Sequence, residues 1–346
     1  MRRNYPFNAK VIKDQAIKNN DYCDIKLDPI DYCFSLGVGL TSKCNLRCPF
    51  CYYREDSVSK IEHTELELSK FTNLLENLPK LNKIVFSLEG EGLCYKNFKD
   101  ALRIATQHCR SLEITTNGLL LTDDIISLFK EVHLAKCILS IDAADESNYK
   151  IYRKGGNFTK FCSNAKQLTN SIGQDKVMFY SVVNNKNLDS LSKLPILAKE
   201  VGILEIGLGQ IRENSNSKIN GLSRASQKEL IEFLTNICVL ADSLNITIVI
   251  EEHFASPDMM LTIKRMDLPI IIISNKDKSM FCTMPWFFTS IMSKGELFAC
   301  CGDIEPQKIN EYSFDGIFNH ELLRHLRWLI KTGNIPEVCL QCHNIH

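Results

Sequence analysis

The sequence lacks a long apolar run. No stretch approaches the roughly 18–20 consecutive apolar residues that span a bilayer. The longest apolar run, 268–273, is long enough only for a buried strand. The basic stretch 1–10 is not followed by the apolar core of a signal peptide. An excess of one charge is lacking too: 41 basic and 41 acidic residues cancel. That argues against a nucleic-acid partner and against a charged tail. There is no low-complexity segment and no internal repeat beyond the alternation described below. What the chain has in quantity is cysteine, 15 in 346 residues. Without a secretion signal the expected location is cytoplasmic and reducing, where clustered cysteines hold metal more often than they pair. An apolar share of 45% is ordinary for a globular chain, and the length allows one large unit and one small one.

Residues 1–35 show weak periodicity and are expected to be an N-terminal extension. From 36 onward short apolar runs alternate with helical patterns. Strands are expected at 36–40, 83–88, 112–115, 137–141, 177–183 and 204–208. Between them, Phe71, Leu74, Leu75 and Leu78 repeat at helical spacing, as do Phe158, Phe161, Ala165 and Leu168. Further helices are expected near 98–107, 123–132 and 188–200. This alternation implies right-handed βαβ units, an α/β fold and a parallel sheet. Six strands suit a partial (βα)6 barrel over 36–215, with ligands at the C-terminal ends of the strands. Ser226 and Glu229 form a capping box that opens another helix, and a strand follows at 246–250 in a connecting region, 216–279. From 280 to 346 cysteines, glycine turns and aromatics mark a small C-terminal unit, with a helix at 321–331 ending ahead of Gly333.

The first cysteine group is Cys44, Cys48 and Cys51, spaced C-x3-C-x2-C directly after a strand. Three thiolates can hold three irons of a [4Fe–4S] cube and leave the fourth open to an external ligand. A structural zinc would want a fourth Cys or His, and none lies close by in sequence. This segment, with Phe50 before the last cysteine, resembles the signature of the radical S-adenosylmethionine (SAM) superfamily. The resemblance implies that SAM binds the open iron by its amino and carboxylate groups. It further implies that reduction yields a 5′-deoxyadenosyl radical, which takes hydrogen from a substrate carbon.

Other segments resemble the family over about 36–210. Glu89-Gly90-Glu91-Gly92 is similar to its Gly-Gly-Glu-Pro motif, with Glu89 and Gly92 as departures, and Glu91 takes the role of contacting the SAM ammonium. Thr116-Asn117-Gly118 and Ser140-Ile141-Asp142 resemble turns at the ends of the third and fourth strands. Asn117, Ser140, Asp142 and Asn184 are therefore candidate contacts to SAM, and Arg153 is a candidate fork for its carboxylate. Each of these polar residues could equally be a cap or a surface group.

The second group is Cys282, Cys300, Cys339 and Cys342, with Gly295 between the first two. Four thiolates can close a metal site; four-cysteine zinc fits the spacing as well. The arrangement resembles the auxiliary-cluster domains called twitch and SPASM, which implies one auxiliary [4Fe–4S] cluster. Cys301 adjoins Cys300 as a spare thiol. Cys94 and Cys301 are candidate hydrogen donors, because epimerases of the superfamily return hydrogen from a thiol. Cys137, Cys162 and Cys238 lie on apolar faces and are expected in the core. The expected activity is peptide or protein maturation. The alternatives are oxidation or epimerisation of a sugar or aminocyclitol, and a non-enzymatic metal-binding scaffold. The resemblance implies a flavodoxin- or ferredoxin-type reductant and a peptide or small-molecule substrate.

Overall fold

The computed structural model describes residues 9–18, 23–29, 34–51, 63–211, 221–251, 254–273, 282–299 and 304–340. Eight strands appear in chain order at Ser35–Val38 (β1), Leu81–Phe86 (β2), Cys109–Thr116 (β3), Leu134–Ser140 (β4), Val177–Val183 (β5), Glu205–Gln210 (β6), Thr247–Glu251 (β7) and Ile270–Ile273 (β8). Three more follow at Phe288–Ile291 (β9), Glu296–Phe298 (β10) and Gln307–Lys308 (β11). They form one sheet in the order β11-β10-β9-β1-β2-β3-β4-β5-β6-β7-β8. Every pairing from β9 through β8 is parallel; only β10 and β11 run antiparallel. The order is linear, so the sheet does not close, as in a partial barrel.

The six strands expected from 36 to 208 are present with shifted ends, and the sheet runs on beyond them. The C-terminal hairpin β9–β10 joins β1 by main-chain pairing. This long-range contact leaves no local trace in the sequence. The end of the run 268–273 is a strand, Ile270–Ile273, but an edge strand and not a buried one. With β7 as its one neighbour among the described residues, it leaves Ile271 54% and Ile273 46% exposed. The helix expected over 188–200 is two, Leu188–Leu191 and Leu194–Val201. Pro195 opens the second, where a missing N–H costs nothing.

Side chains alternate across the sheet as a pleat requires. On β3, Leu112 and Ile114 are buried in the core with Leu102 and Ala105 of the helix Phe98–His108. Glu113 lies on the opposite face and pairs with Lys83 at 2.8 Å; Lys136 pairs with Glu205 there at 2.7 Å. Ser226 opens the helix Gln227–Ser243 with both halves of its capping box formed. The helix Glu321–Lys331 has the expected bounds. An additional helix, Ala9–Ile17, lies in the N-terminal extension. It buries Ile12 and Ala16 in a second apolar cluster with Leu322, Leu326 and Leu329.

Arg327 fastens this part of the molecule. It is fully buried. Its Nε donates to Pro285 O at 2.9 Å and its Nη1 to Ile25 O and Asn319 Oδ1, each at 3.3 Å. Its Nη2 donates to Phe318 O. One guanidinium thus ties the N-terminal segment, the short helix Met284–Phe287 and the C-terminal helix. Arg327→Met should orphan these buried acceptors and cost about 3 kcal/mol or more. The expected readout is a lowered Tm in thermal denaturation; an unchanged Tm would contradict this role.

Candidate active site

The loop after β1 carries the three cysteines and is held in place by main-chain bonds. Arg47 N donates to Lys154 O at 2.8 Å, Cys51 N to Cys48 O at 3.2 Å, and Glu91 N to Lys43 O at 2.7 Å. Gly90, at φ +62°, sits where a Cβ would run into the Thr41 and Lys43 carbonyl oxygens. A glycine is therefore required where the Glu89–Gly92 turn meets the cysteine loop. Between loop and turn lies a cavity of about 240 Å³ at the C-terminal ends of β1–β4. Cys44, Cys48 and Cys51 line one part of it, and Glu89, Glu91, Asn117, Ser140 and Arg153 another.

Glu91 is 4% exposed. Its Oε1 accepts from Thr116 Oγ1 at 2.6 Å and Leu93 N at 3.4 Å, and its Oε2 accepts from Asn117 N at 2.8 Å. Burial raises the Glu91 carboxyl above its ordinary value, and these hydrogen bonds partly offset the rise. Asn117 Nδ2 donates to Asn45 Oδ1 at 2.8 Å, so the third strand's turn is tied to the cysteine loop as well.

Arg153 ends the helix Glu146–Tyr152. Its Nε stands 2.5 Å from Asp142 Oδ2, as an ion pair and not a linear hydrogen bond. Asp142 is fully buried, and its Oδ1 accepts from Val182 N at 2.8 Å. Asp142 thus fixes Arg153 from behind and is not among the lining residues. Arg153 Nη1 lies 4.0 Å from Cys48 Sγ. Burial alone would lower the guanidinium, but Asp142 and then Cys48 push it up and keep it charged. Burial pushes the Cys48 thiol up to about 12 against the pull of Arg153, so a metal must displace that proton to bind.

The remaining candidates fall elsewhere. Asn184 is fully buried and caps its own turn, its Oδ1 accepting from Lys186 N at 2.9 Å, and is not a lining residue. Phe50 packs with Tyr152 at a centroid distance of 6.4 Å, outside the lining set. Cys94 has its Sγ 4.0 Å from Asn45 Oδ1, beside the cavity and not in its wall. Burial, with the charge of Glu91, pushes the Cys94 thiol up to about 11, so it keeps its hydrogen at neutral pH. Cys300, Cys301 and Cys342 lie outside the described residues. Cys282 packs against the apolar cluster that contains Cys339 and Ala299. Sequence reasoning missed Ser42, His63, Ser87 and Glu89 as lining residues. For Glu89 the signal was its departure from the motif.

Residues 38–194 match the radical SAM superfamily. The chain carries a radical SAM domain. Among curated relatives, a GTP 3′,8-cyclase of Clostridium botulinum is 30% identical over 189 residues, which is 51% of this chain and 58% of the cyclase. The chain therefore spans little more than half the length of that relative. Streptococcus suis SuiB bound to S-adenosylmethionine has a TM-score of 0.56 at 14% identity, covering 91% of this chain and 72% of SuiB. SuiB bound to its precursor peptide SuiA gives 0.57 at 13%, covering 83% and 69%. Native anSMEcpe with bound AdoMet gives 0.55 at 18%, covering 77% and 74%. At these identities the structures share the fold with the radical SAM domain.

The donor set fits such a domain's cluster. Among the described residues no three His, Cys, Asp or Glu side chains converge on a single ion. A cube needs no such convergence, because each thiolate binds a different iron. Thiols distributed around one cavity wall match that demand.

The helix that delivers Arg153 begins at Asp145. Its Oδ1 accepts from Asn148 N at 2.9 Å and Ser147 Oγ at 2.6 Å, and its Oδ2 from Ser190 Oγ at 2.5 Å. Partial burial would raise this carboxyl, but the hydrogen bonds hold it well below the usual range. A lowered folded pKa gives stability that is present above the unfolded value, about 4, and lost as pH falls. Asp145→Ala should cost about 1–2 kcal/mol at neutral pH. The gap to the unmodified chain should close in acid. A Tm difference that does not change with pH would contradict this.

Proposed function

We propose that the chain binds a [4Fe–4S] cluster on Cys44, Cys48 and Cys51 and cleaves SAM reductively to modify a peptide or protein. The observation that carries the reading is the shared cavity: three thiols of one loop line the same space as the guanidinium of Arg153, which is 12% exposed. Cys44, Cys48 and Cys51 would hold the cluster, which would supply the electron that splits SAM into methionine and the 5′-deoxyadenosyl group that takes hydrogen from a substrate carbon. Arg153, pre-set by Asp142, forks onto the SAM carboxylate. Glu91, Thr116 and Asn117 keep the cavity's far wall rigid. Ser140, at the end of β4, offers a hydroxyl to the same space. A flavodoxin- or ferredoxin-type protein serves as the reductant.

A peptide is favoured as substrate because the sheet does not close, and an extended chain needs an open groove. The Clostridium botulinum relative favours a second reading, in which the substrate is a nucleotide such as GTP. The deoxyadenosine yield with a peptide library, set against the yield with GTP, separates the two.

Cys282, Cys300, Cys339 and Cys342 hold one auxiliary [4Fe–4S] cluster in this reading. Support comes from the one apolar cluster that gathers Cys339, Cys282 and Ala299, the residue before Cys300. A fully ligated cluster has no open iron and serves electron transfer. Cys94 is kept as a hydrogen donor for an epimerising variant of the reaction, with Cys301 as its alternative.

Reconstituted anaerobically, the chain should carry about eight irons. The count should fall to about four when Cys339 and Cys342 are changed to Ala. About four irons in the unmodified chain would contradict the auxiliary cluster. Stoichiometric zinc, with His63 as a fourth ligand, would contradict the first.

A further inference from the structure

The inner face of the sheet continues beyond the cavity. Ser140, which lines the cavity, is paired across β4 and β5 with Tyr180. Tyr180 is paired in turn with Gly207, Gly207 with Val249, and Val249 with Ile271. Residues paired in register point to the same face of a sheet. One row of positions therefore runs from the cavity across β5, β6 and β7 to the edge strand β8. Its four strand spacings make it roughly 19 Å long.

Past Ser140 this row is apolar, yet it is not part of the core. Ile206, Leu208, Ile248 and Ile250 take the opposite face and join the core there. Val249 is 7% exposed but stands outside that core, and Ile271 is exposed. Tyr180 is half-buried. Its ring lies across β6, which has glycine at two successive inner positions. A Cβ on Gly207 would meet Tyr180 Cδ2 at 2.8 Å, and one on Gly209 would run into the phenol oxygen. Neither glycine has a positive φ. The backbone does not demand them, so the ring's close approach is what they serve. No residue of the row is charged, and nothing in it would meet a triphosphate.

We propose that this row seats the side chains of the substrate, and that Tyr180 selects an apolar one, aliphatic or aromatic, beside the reacting carbon. The inference deepens the peptide reading given above and rests on it. An extended peptide advances about 3.3 Å per residue, so about six residues would follow the row. A single sugar ring would cover only its first strands. An apolar side chain laid on the ring removes both surfaces from water. The backing of β6 keeps the ring in one orientation, so the choice of side chain is made next to Ser140 and the cavity.

The test uses the anaerobically reconstituted chain with SAM and a synthetic pool of random decapeptides. Peptides retained on the immobilised chain are identified by mass spectrometry. Those with Leu, Ile, Phe or Trp should be enriched roughly tenfold to a hundredfold over those with Ser or Asn in their place, the range for burying one such side chain. Tyr180→Phe keeps the ring and should keep the preference. Tyr180→Ser removes the ring and Gly209→Ala displaces it; each should lose most of the preference while retaining polar peptides as the unmodified chain does. A preference undiminished in Tyr180→Ser would overturn the proposal. So would weaker retention of all peptides alike, the mark of a purely structural role. Retention by the unmodified chain without any apolar preference would overturn it too, and needs no variant to fold. Those outcomes leave the peptide reading standing. An unmodified chain that retains no peptide would sink both.

Discussion

The geometry of the site depends on one buried carboxylate. Glu91 is enclosed at the point where the turn after β2, the turn after β3 and the cysteine loop meet. Its side chain satisfies two donors of the third strand's turn, and its N–H satisfies Lys43 O. Desolvation makes the charged form expensive, and the hydrogen bonds return part of that cost. Such a group tolerates little displacement, because each bond lost leaves a buried partner bare. The cysteine loop is thus registered against two strand ends before any ligand binds. That is the preorganisation expected of a site built at strand termini.

Charge is arranged around this fixed point. Asp142 and Arg153 form a buried pair whose position is set by Val182 N on one side and the helix Glu146–Tyr152 on the other. The guanidinium ends 4.0 Å from Cys48 Sγ and offsets part of the rise that burial imposes on that thiol. The turn that meets the cysteine loop carries Glu89 and Glu91, so carboxyl groups, thiols and the guanidinium line one cavity. The C-terminal unit takes part directly, since Ser293 meets Glu89 and Thr64 across the chain.

Much of this was legible in the sequence, for physical reasons that differ by element. The cysteine loop stood out because its three thiols are close together in the sequence, and the structure places all three on one cavity. The helices opening at Ser226 and Glu321 could be read because capping is local. The helix Ala9–Ile17 could not, because Ile12 and Ala16 gain meaning only against Leu322 and Leu326, some three hundred residues on. The pairing of β9 with β1 is equally remote. At the site, the sequence pointed to Glu91 as a ligand-facing group; the structure places it in the cavity wall, with Thr116 Oγ1, Asn117 N and Leu93 N donating to it. Asn184, a candidate by its place after β5, has its Oδ1 on Lys186 N, and its buried Nδ2 has no hydrogen-bond partner among the described residues. Glu89 was visible only as a departure from a pattern, and the structure places it in the cavity wall beside Gly39.

The central claim is that one cavity joins an open-cornered cluster to SAM. Its most direct test is the release of 5′-deoxyadenosine from SAM by the anaerobically reconstituted, dithionite-reduced chain, measured by liquid chromatography. The account predicts release from the unmodified chain and none when Cys48 is changed to Ala. No release from the unmodified chain with its iron and sulfide in place, or equal release from both, would contradict it.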